Sequence, residues 1–221
     1  DGPFKMAQLV RACRGLADAC RAYRLPLISG KDSMKNDARL GGRKVSIRPT
    51  LLVSLTGIVP DVSRSMTTEF IAPGDLIVQI APAHGELASP AGPEARFALY
   101  RRLHGAITAG LLSSIHDVSD GGILVAIAES AIAGRLGATI NADMLPDPFA
   151  EPLGTFVASS SPDALVALGD RLGSGAVTVL GTVTDEPALR VGEAASWSLA
   201  ELVQAWKSLA PGSRERALPR G

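Results

Sequence analysis

The stretch Gly110-Leu111-Leu112-Ser113-Ser114-Ile115-His116-Asp117-Val118-Ser119-Asp120-Gly121-Gly122-Ile123-Leu124-Val125-Ala126-Ile127-Ala128-Glu129 sets the reading of the whole chain. A short strand-like run leads into a polar turn that ends in two glycines, and an apolar helix follows. Where a strand passes into a helix in this way, the N–H groups of the first helical turn face outward with partial positive charge. Gly121 and Gly122 let a phosphate come close to that backbone. His116, Asp117, Ser119 and Asp120 put an imidazole, two carboxylates and a hydroxyl into one turn, more polar chemistry than a turn needs. A plain helix start has the same pattern, with Ser119 or Asp120 as the cap and the glycines relieving strain. On pattern alone both readings stay open.

The composition narrows the function classes. A length of 221 residues suits one large domain or two small ones. Hydrophobic residues make up 46% and charged residues 20%, the balance of a folded globular protein. With aromatics at only 4%, the core must come from Ala, Val, Leu and Ile. Lys+Arg and Asp+Glu both total 22, so no basic excess points to nucleic acid and no polybasic run to a membrane surface. Every apolar stretch falls short of the ~20 residues of a membrane span. The start, Asp1-Gly2-Pro3-Phe4, has neither an initiator Met nor a signal-peptide pattern and reads as cut from something longer. Cys13 and Cys20 fall on one helix, with Cα atoms about 10 Å apart, too far to bridge. Buried thiols in a reducing, cytoplasmic compartment are the expectation.

Outward from the central stretch, the chain alternates helices and strands. Met6, Leu9, Val10, Cys13, Leu16, Ala17 and Cys20 have the spacing of a helix over residues 5–23 with one buried face. Pro26-Leu27-Ile28-Ser29 reads as a short strand, and Gly30-Lys31-Asp32-Ser33-Met34 as a polar loop that begins with glycine. Leu40-Gly41-Gly42-Arg43-Lys44 reads as an exposed turn. Residues 50–59 read as a β-rich run buried on at least one face. A boundary is expected near Pro73-Gly74, with one subdomain over 1–72, a second over 73–195, and a terminal helix and disordered tail over 196–221. In the second, strands are expected at 76–80, 138–140, 155–159, 176–183 and 188–191. Helices are expected at about 94–109, from the central motif to Ala133 with Gly134 as the stop, at 162–172 and at 198–209. The fold class is α+β, a mixed α/β arrangement.

Pro26-Leu27-Ile28-Ser29-Gly30-Lys31-Asp32-Ser33-Met34 and His116-Asp117-Val118-Ser119-Asp120-Gly121-Gly122 resemble signatures of the phosphoribosylformylglycinamidine synthase family, the amidotransferases of purine biosynthesis. The resemblance continues through residues 46–54 and through Gly181-Thr182-Val183-Thr184-Asp185-Glu186-Pro187, covering roughly residues 4–192 in order. It implies an incomplete N-terminal-type subdomain of the AIR-synthase-like fold, followed by a C-terminal-type one. It also implies an ATP-dependent ligase that uses Mg²⁺ and ATP to activate the amide oxygen of formylglycinamide ribonucleotide. Ammonia from a glutaminase domain or subunit then displaces the phosphate. Phosphoryl chemistry of this kind asks the protein for positioning and charge neutralisation more than for a nucleophile.

Residue by residue, the resemblance makes Asp117 the magnesium ligand and Ser119 a nucleotide or substrate contact, with Gly121 and Gly122 at the phosphates. Gly30 and Ser33 match nucleotide- and substrate-contacting positions. Shorter homologues carry Asn-Val where this chain has Lys31-Asp32, and there the Asn binds metal. Lys31 is a cation and suits a phosphate instead. Asp32 and His116 are supporting candidates, with His116 orienting the Asp117 loop. No catalytic residue is assigned, because the family's catalytic histidine and glutaminase cysteine have no counterpart here. The departure at Ala83-His84-Gly85-Glu86-Leu87-Ala88, where the family usually has Glu-Leu-Gly-Gly-Ser, loosens a second glycine loop. The fragment alone is expected to be inactive without the remaining synthetase subdomains. Two alternatives are a non-catalytic nucleotide-binding module of such a synthetase and a related AIR-synthase-like ATP-using enzyme.

Overall fold

A computed structural model describes residues 2–31, 37–46, 50–82, 92–193 and 195–208. They form two compact units that divide between Pro60 and Asp61.

The first unit contains helix α1 (Gly2–Tyr23) and a hairpin of β1 (Asp37–Leu40) and β2 (Arg43–Ser46). Gly41 and Gly42 turn the hairpin with φ of 56° and 80°, the left-handed values that a two-residue connection between strands requires. Asp37 ties the hairpin ends: Lys44 Nζ lies 2.8 Å and Ser46 Oγ 2.6 Å from its carboxylate, and these partners hold its pKa below the usual value.

Two sequence expectations fail in this unit. Residues 26–29 and 50–59 form no strand, and Ile28, Leu52 and Ile58 are almost fully exposed. A strand is held by its neighbours, and among the described residues neither segment has a pairing partner. The periodic face of α1 is not covered either: Met6, Leu9, Val10 and Cys13 are exposed, so Cys13 is not the buried thiol expected. One hairpin of two four-residue strands offers too little surface to cover a 22-residue helix.

The second unit is built on a sheet. After a 3₁₀ turn at Val62–Arg64 come β3 (Leu76–Ile80), α2 (Gly92–Thr108), β4 (Ser114–Asp117) and α3 (Gly122–Gly134). Then follow β5 (Gly137–Ile140), β6 (Phe156–Ser160), α4 (Leu165–Leu172), β7 (Val177–Thr184), β8 (Ala188–Val191), β9 (Ala195–Ser198) and α5 (Leu199–Ser208). The strand order is β4-β6-β3-β7-β5-β8-β9, antiparallel except for the β5–β8 pair. The mixed α+β class is as expected. Strand β9 was not, and it lengthens the sheet at residues assigned to a terminal segment.

Period-2 alternation sends side chains into two separate cores. Ile77, Val157, Leu180 and Val183 join Ile123, Leu124 and Ile127 of α3, with Leu199 and Leu202 of α5 at the margin. Val78, Ile80 and Ala158 join Leu99 and Leu103 of α2 and Leu168 and Leu172 of α4. The sheet is thus covered on both faces. Among the described residues no helix is long and apolar enough to cross a membrane.

The end of α3 corrects another expectation. Arg135, not Gly134, takes the left-handed cap, with φ of 57°. Gly134 has a different task. A Cβ there would lie 2.0 Å from the carbonyl oxygen of Phe70, whose own N–H donates to Ser130 O at 3.1 Å. Gly134→Ala should therefore destabilise the chain by about 1–3 kcal/mol through forced overpacking, although alanine is the better helix former. Urea unfolding of the two proteins measures this directly.

Helix α5 starts with a capping box. Ser198 N–H donates to Glu201 Oε2 at 2.8 Å, and Glu201 N–H donates back to Ser198 Oγ at 3.2 Å. The hydrogen bonds from Ser198 hold the Glu201 carboxyl below its ordinary value of 4.5. A depressed carboxyl pKa contributes stability above the unfolded value and loses it as pH falls through the folded one. Amide protection factors over Leu199–Leu202, taken relative to the intrinsic exchange rate at each pH, are expected to fall as pH drops below 4.5, and Glu201→Gln should flatten that dependence.

Candidate functional site

Strand β4 ends at Asp117, and the chain turns through Val118, Ser119 and Asp120 into α3. The turn is anchored by Val118 N–H donating to Thr155 O at 2.9 Å and Gly122 N–H donating to Ser119 O at 3.0 Å. Gly121 is the helix cap residue, with φ of 89°, and no side chain of its own turn caps the helix. Ser119 and Asp120 stand exposed instead. The capped-start reading, with Ser119 or Asp120 bonded to the first amides, is therefore not what the chain adopts.

Those amides are taken by a segment far along the chain. Gly121 N–H donates to Glu151 Oε1 at 2.9 Å, and Leu124 N–H donates to Pro148 O at 2.9 Å. Gly122 is buried beneath the same segment: with φ of 79°, a Cβ there would lie 2.5 Å from the carbonyl carbon of Phe149. Gly122 is needed for a close backbone approach, and the backbone that approaches is the protein's own; a Cβ at Gly121 would instead meet the Val125 side chain. Glu151, which the sequence reading did not single out, supplies an anion to the positive end of α3. Only its place in a Pro-rich loop, with no periodic signal, marks it in the sequence.

His116 and Asp117 diverge along β4. Ser114 and His116 face α3, and Ser114 Oγ lies 2.8 Å from Ser159 Oγ in a buried pair. The His116 side chain is 16% exposed, and its Nε2 lies 3.0 Å from Glu129 Oε2 on α3. Its Nδ1 is 3.5 Å from Asp117 Oδ1. That separation is too long and too poorly aligned for a hydrogen bond, and Nδ1 has no partner among the described residues. The Asp117 side chain is 68% exposed. Thr155 Oγ1, buried beside the turn, also lacks a partner among the described residues.

The structure thus gathers His116, Asp117, Ser119, Gly121 and Gly122 at one end of β4. Gly30 and Lys31 are exposed residues of the first unit. Asp32 and Ser33, and the loop with His84, Glu86 and Ala88, lie outside the described residues. Among the described residues no three His, Cys, Asp or Glu side chains converge to hold a metal ion. What the motif offers a cation is the exposed Asp117 carboxylate, with the Ser119 hydroxyl and the Asp120 carboxylate on the same exposed turn.

The family model described as AIR synthase related protein, C-terminal domain, matches residues 82–193. That segment is half of the chain and carries the whole β4–α3 motif. The chain belongs to the AIR synthase-related family. Curated relatives include the phosphoribosylformylglycinamidine synthase subunit PurL of Caulobacter vibrioides, 33% identical over 77% of this chain and 25% of its own length. That of Parasynechococcus marenigrum is 35% identical over 90% of this chain and 30% of its own. The AIR synthase-related chain therefore spans between about a fifth and a third of the curated relatives it matches. Its fold is shared with T. maritima PurL complexed with AMPPCP (TM-score 0.56, 22% identity, 64% of this chain and 27% of that one). It is also shared with T. maritima PurL complexed with FGAR (TM-score 0.52, 20% identity, 64% and 30%) and with the PurLQS structure from Thermotoga maritima (TM-score 0.52, 22% identity, 64% and 28%).

The packing at Gly122 has a measurable consequence. Gly122→Ala combines a disfavoured φ with a backbone clash, so the 147–151 segment should lift from α3 at a cost of about 1–3 kcal/mol. Chymotrypsin should then cut after the exposed Phe149 faster than in the parent chain.

Proposed function

We propose that this chain is the C-terminal portion of the ATP-dependent synthetase that makes formylglycinamidine ribonucleotide from formylglycinamide ribonucleotide and glutamine-derived ammonia. The observation that carries this reading is the exposed Asp117–Ser119 turn, within a chain 33% and 35% identical to PurL subunits over 77% and 90% of its length. The catalytic unit in this reading is cytoplasmic and larger than the chain. The partial subdomain over 1–72 and the C-terminal-type one over 73–195 pair with the remaining synthetase subdomains, and a glutaminase domain or subunit delivers ammonia.

Asp117 has the role of holding Mg²⁺ at the nucleotide phosphates. Its fit rests on donor chemistry: Mg²⁺ takes one or two carboxylates from a protein and completes its shell with water and phosphate oxygens, so a single open carboxylate is adequate. When bound, the ion supplies neutralisation of phosphate charge. Ser119 has the role of a hydroxyl contact to nucleotide or substrate. Gly30, Lys31 and Ser33 have the role of nucleotide or substrate contacts, Lys31 as a point charge for phosphate and Asp32 in support. A phosphate that reaches the Gly121 amide has to displace the Glu151 carboxylate, so approach along the Ser119–Asp120 side is the less obstructed route.

The full-length protein that contains this chain, supplied with ammonia, formylglycinamide ribonucleotide and Mg·ATP, should release ADP and phosphate. Asp117→Asn should lower that turnover by at least about a hundredfold, since a lost charge-neutralising ligand is worth several kcal/mol. Unchanged turnover would remove Asp117 from the site, and absence of turnover with this substrate in the parent protein would sink the reading itself.

A further inference from the structure

Strand register brings a half-buried arginine of α2 to the end of the sheet where β4 stops. Phe156 pairs with Asp117 on one side and with Ile80 on the other. Tyr100 of α2 meets the Phe156 ring edge-on, with centroids 5.7 Å apart. Beyond β4 the same pairing continues, since Val118 N–H donates to Thr155 O at 2.9 Å, and this sets Gly154 opposite Ser119. Arg96, one helical turn before Tyr100, lies against that glycine. A Cβ at Gly154 would stand 2.6 Å from Arg96 Cδ and 2.7 Å from the Tyr100 hydroxyl.

Gly92 forms the other wall of the slot. A Cβ there would stand 3.1 Å from a guanidinium nitrogen of Arg96. Two glycines from separate segments thus leave the room that this side chain fills. Arg96 is half-buried, and among the described residues its guanidinium makes no hydrogen bond or ion pair. A guanidinium is a planar fork of five N–H donors that matches the oxygens of a phosphate. Held half-buried without an acceptor, the fork forgoes free energy that an anionic ligand would recover.

The turn beside it is acidic. Asp117 and Asp120 are exposed, and the Glu151 carboxylate sits on the Gly121 amide. A phosphate that comes to this turn meets three carboxylates, and like charges at close range repel strongly outside bulk water. A fixed cation on the α2 side offsets that repulsion.

We propose that Arg96 binds a phosphate group at the Asp117–Ser119 turn, with Gly92 and Gly154 shaping the slot for its side chain. The assignment rests on the proposed function of that turn, and the test separates the two. Arginine Nε–H signals in ¹⁵N spectra of this chain report the contact directly, with Arg96 identified by the loss of its signal in Arg96→Lys. Sodium pyrophosphate stands in for the phosphate chain of a nucleotide, and ribose 5-phosphate for the phosphate of a ribonucleotide substrate. One of them should move the Arg96 signal and the Gly154 and Ser119 amides saturably, and the tighter of the two identifies the source of the phosphate.

Arg96→Met keeps an apolar stem against Gly154 and drops the charge, so binding should weaken roughly ten- to a hundredfold. Arg96→Lys should lose less. Arg101→Met removes an exposed charge from the same helix and should leave the affinity unchanged, because solvent screens it. An Arg96 signal that neither probe moves overturns the assignment, whether or not the variants fold. Equal affinity in the parent and a folded Arg96→Met overturns it too, as does an equal loss in Arg101→Met. If Arg96 responds while the full-length protein fails to turn over formylglycinamide ribonucleotide, the phosphate contact stands and the assigned reaction falls. A silent Arg96 with turnover intact gives the reverse.

Discussion

Only glycine fits at position 122, where the first turn of α3 meets the backbone of Phe149 and Ala150. This contact holds two parts of the chain that the sheet alone would not bring together. It buries the first turn of the helix, and a buried amide needs a partner. Pro148 O and Glu151 Oε1 meet that need. With the helix start occupied from this side, the Val118–Asp120 turn lies on the outer side with Ser119 and Asp120 exposed. The placement of α3 then fixes where Glu129 reaches His116.

The second unit was largely legible because most of its elements announce themselves locally. The apolar runs expected as strands at 76–80 and 176–183 form β3 and β7 close to those bounds, while the strand expected over 110–115 forms later, as Ser114–Asp117. What escaped was decided by long-range contact. Gly134 looked like a helix stop because glycine often is one, but Phe70 lies against it and the cap passes to Arg135. Strand β9 was hidden because Ala195-Ser196-Trp197-Ser198 has little apolar character, and pairing with β8 recruits it. Glu151 gave no signal, since its partner is the Gly121 amide thirty residues away in sequence.

The first unit shows the opposite failure. Leu51, Leu52, Val53 and Leu55 have strong β character, yet the segment is exposed and unpaired among the described residues. Propensity for strand is largely propensity to fit a pleated, half-covered surface. Without such a surface, the same residues have nothing to pack on. The face of α1 expected to be buried is exposed at Met6, Leu9, Val10 and Cys13, in a unit whose other described elements are two four-residue strands.

Sheet order also governs the sequence of events during synthesis. β3 is the earliest-made strand of the larger sheet, yet both its neighbours come much later: Leu76 pairs with Ser160 and with Thr182. Among the described residues β4, which carries His116 and Asp117, has β6 as its one strand partner, with Ile115 N–H also donating to Thr67 O. As the chain leaves the ribosome, the motif strand therefore waits for its strand partner until residues near 160 have emerged, and the centre of the sheet waits longer still. Non-local pairing of this kind slows folding and leaves apolar strands open to wrong partners meanwhile. For this nascent chain, the hazard is greatest while β3 and β4 are outside the tunnel and β6 is still within it.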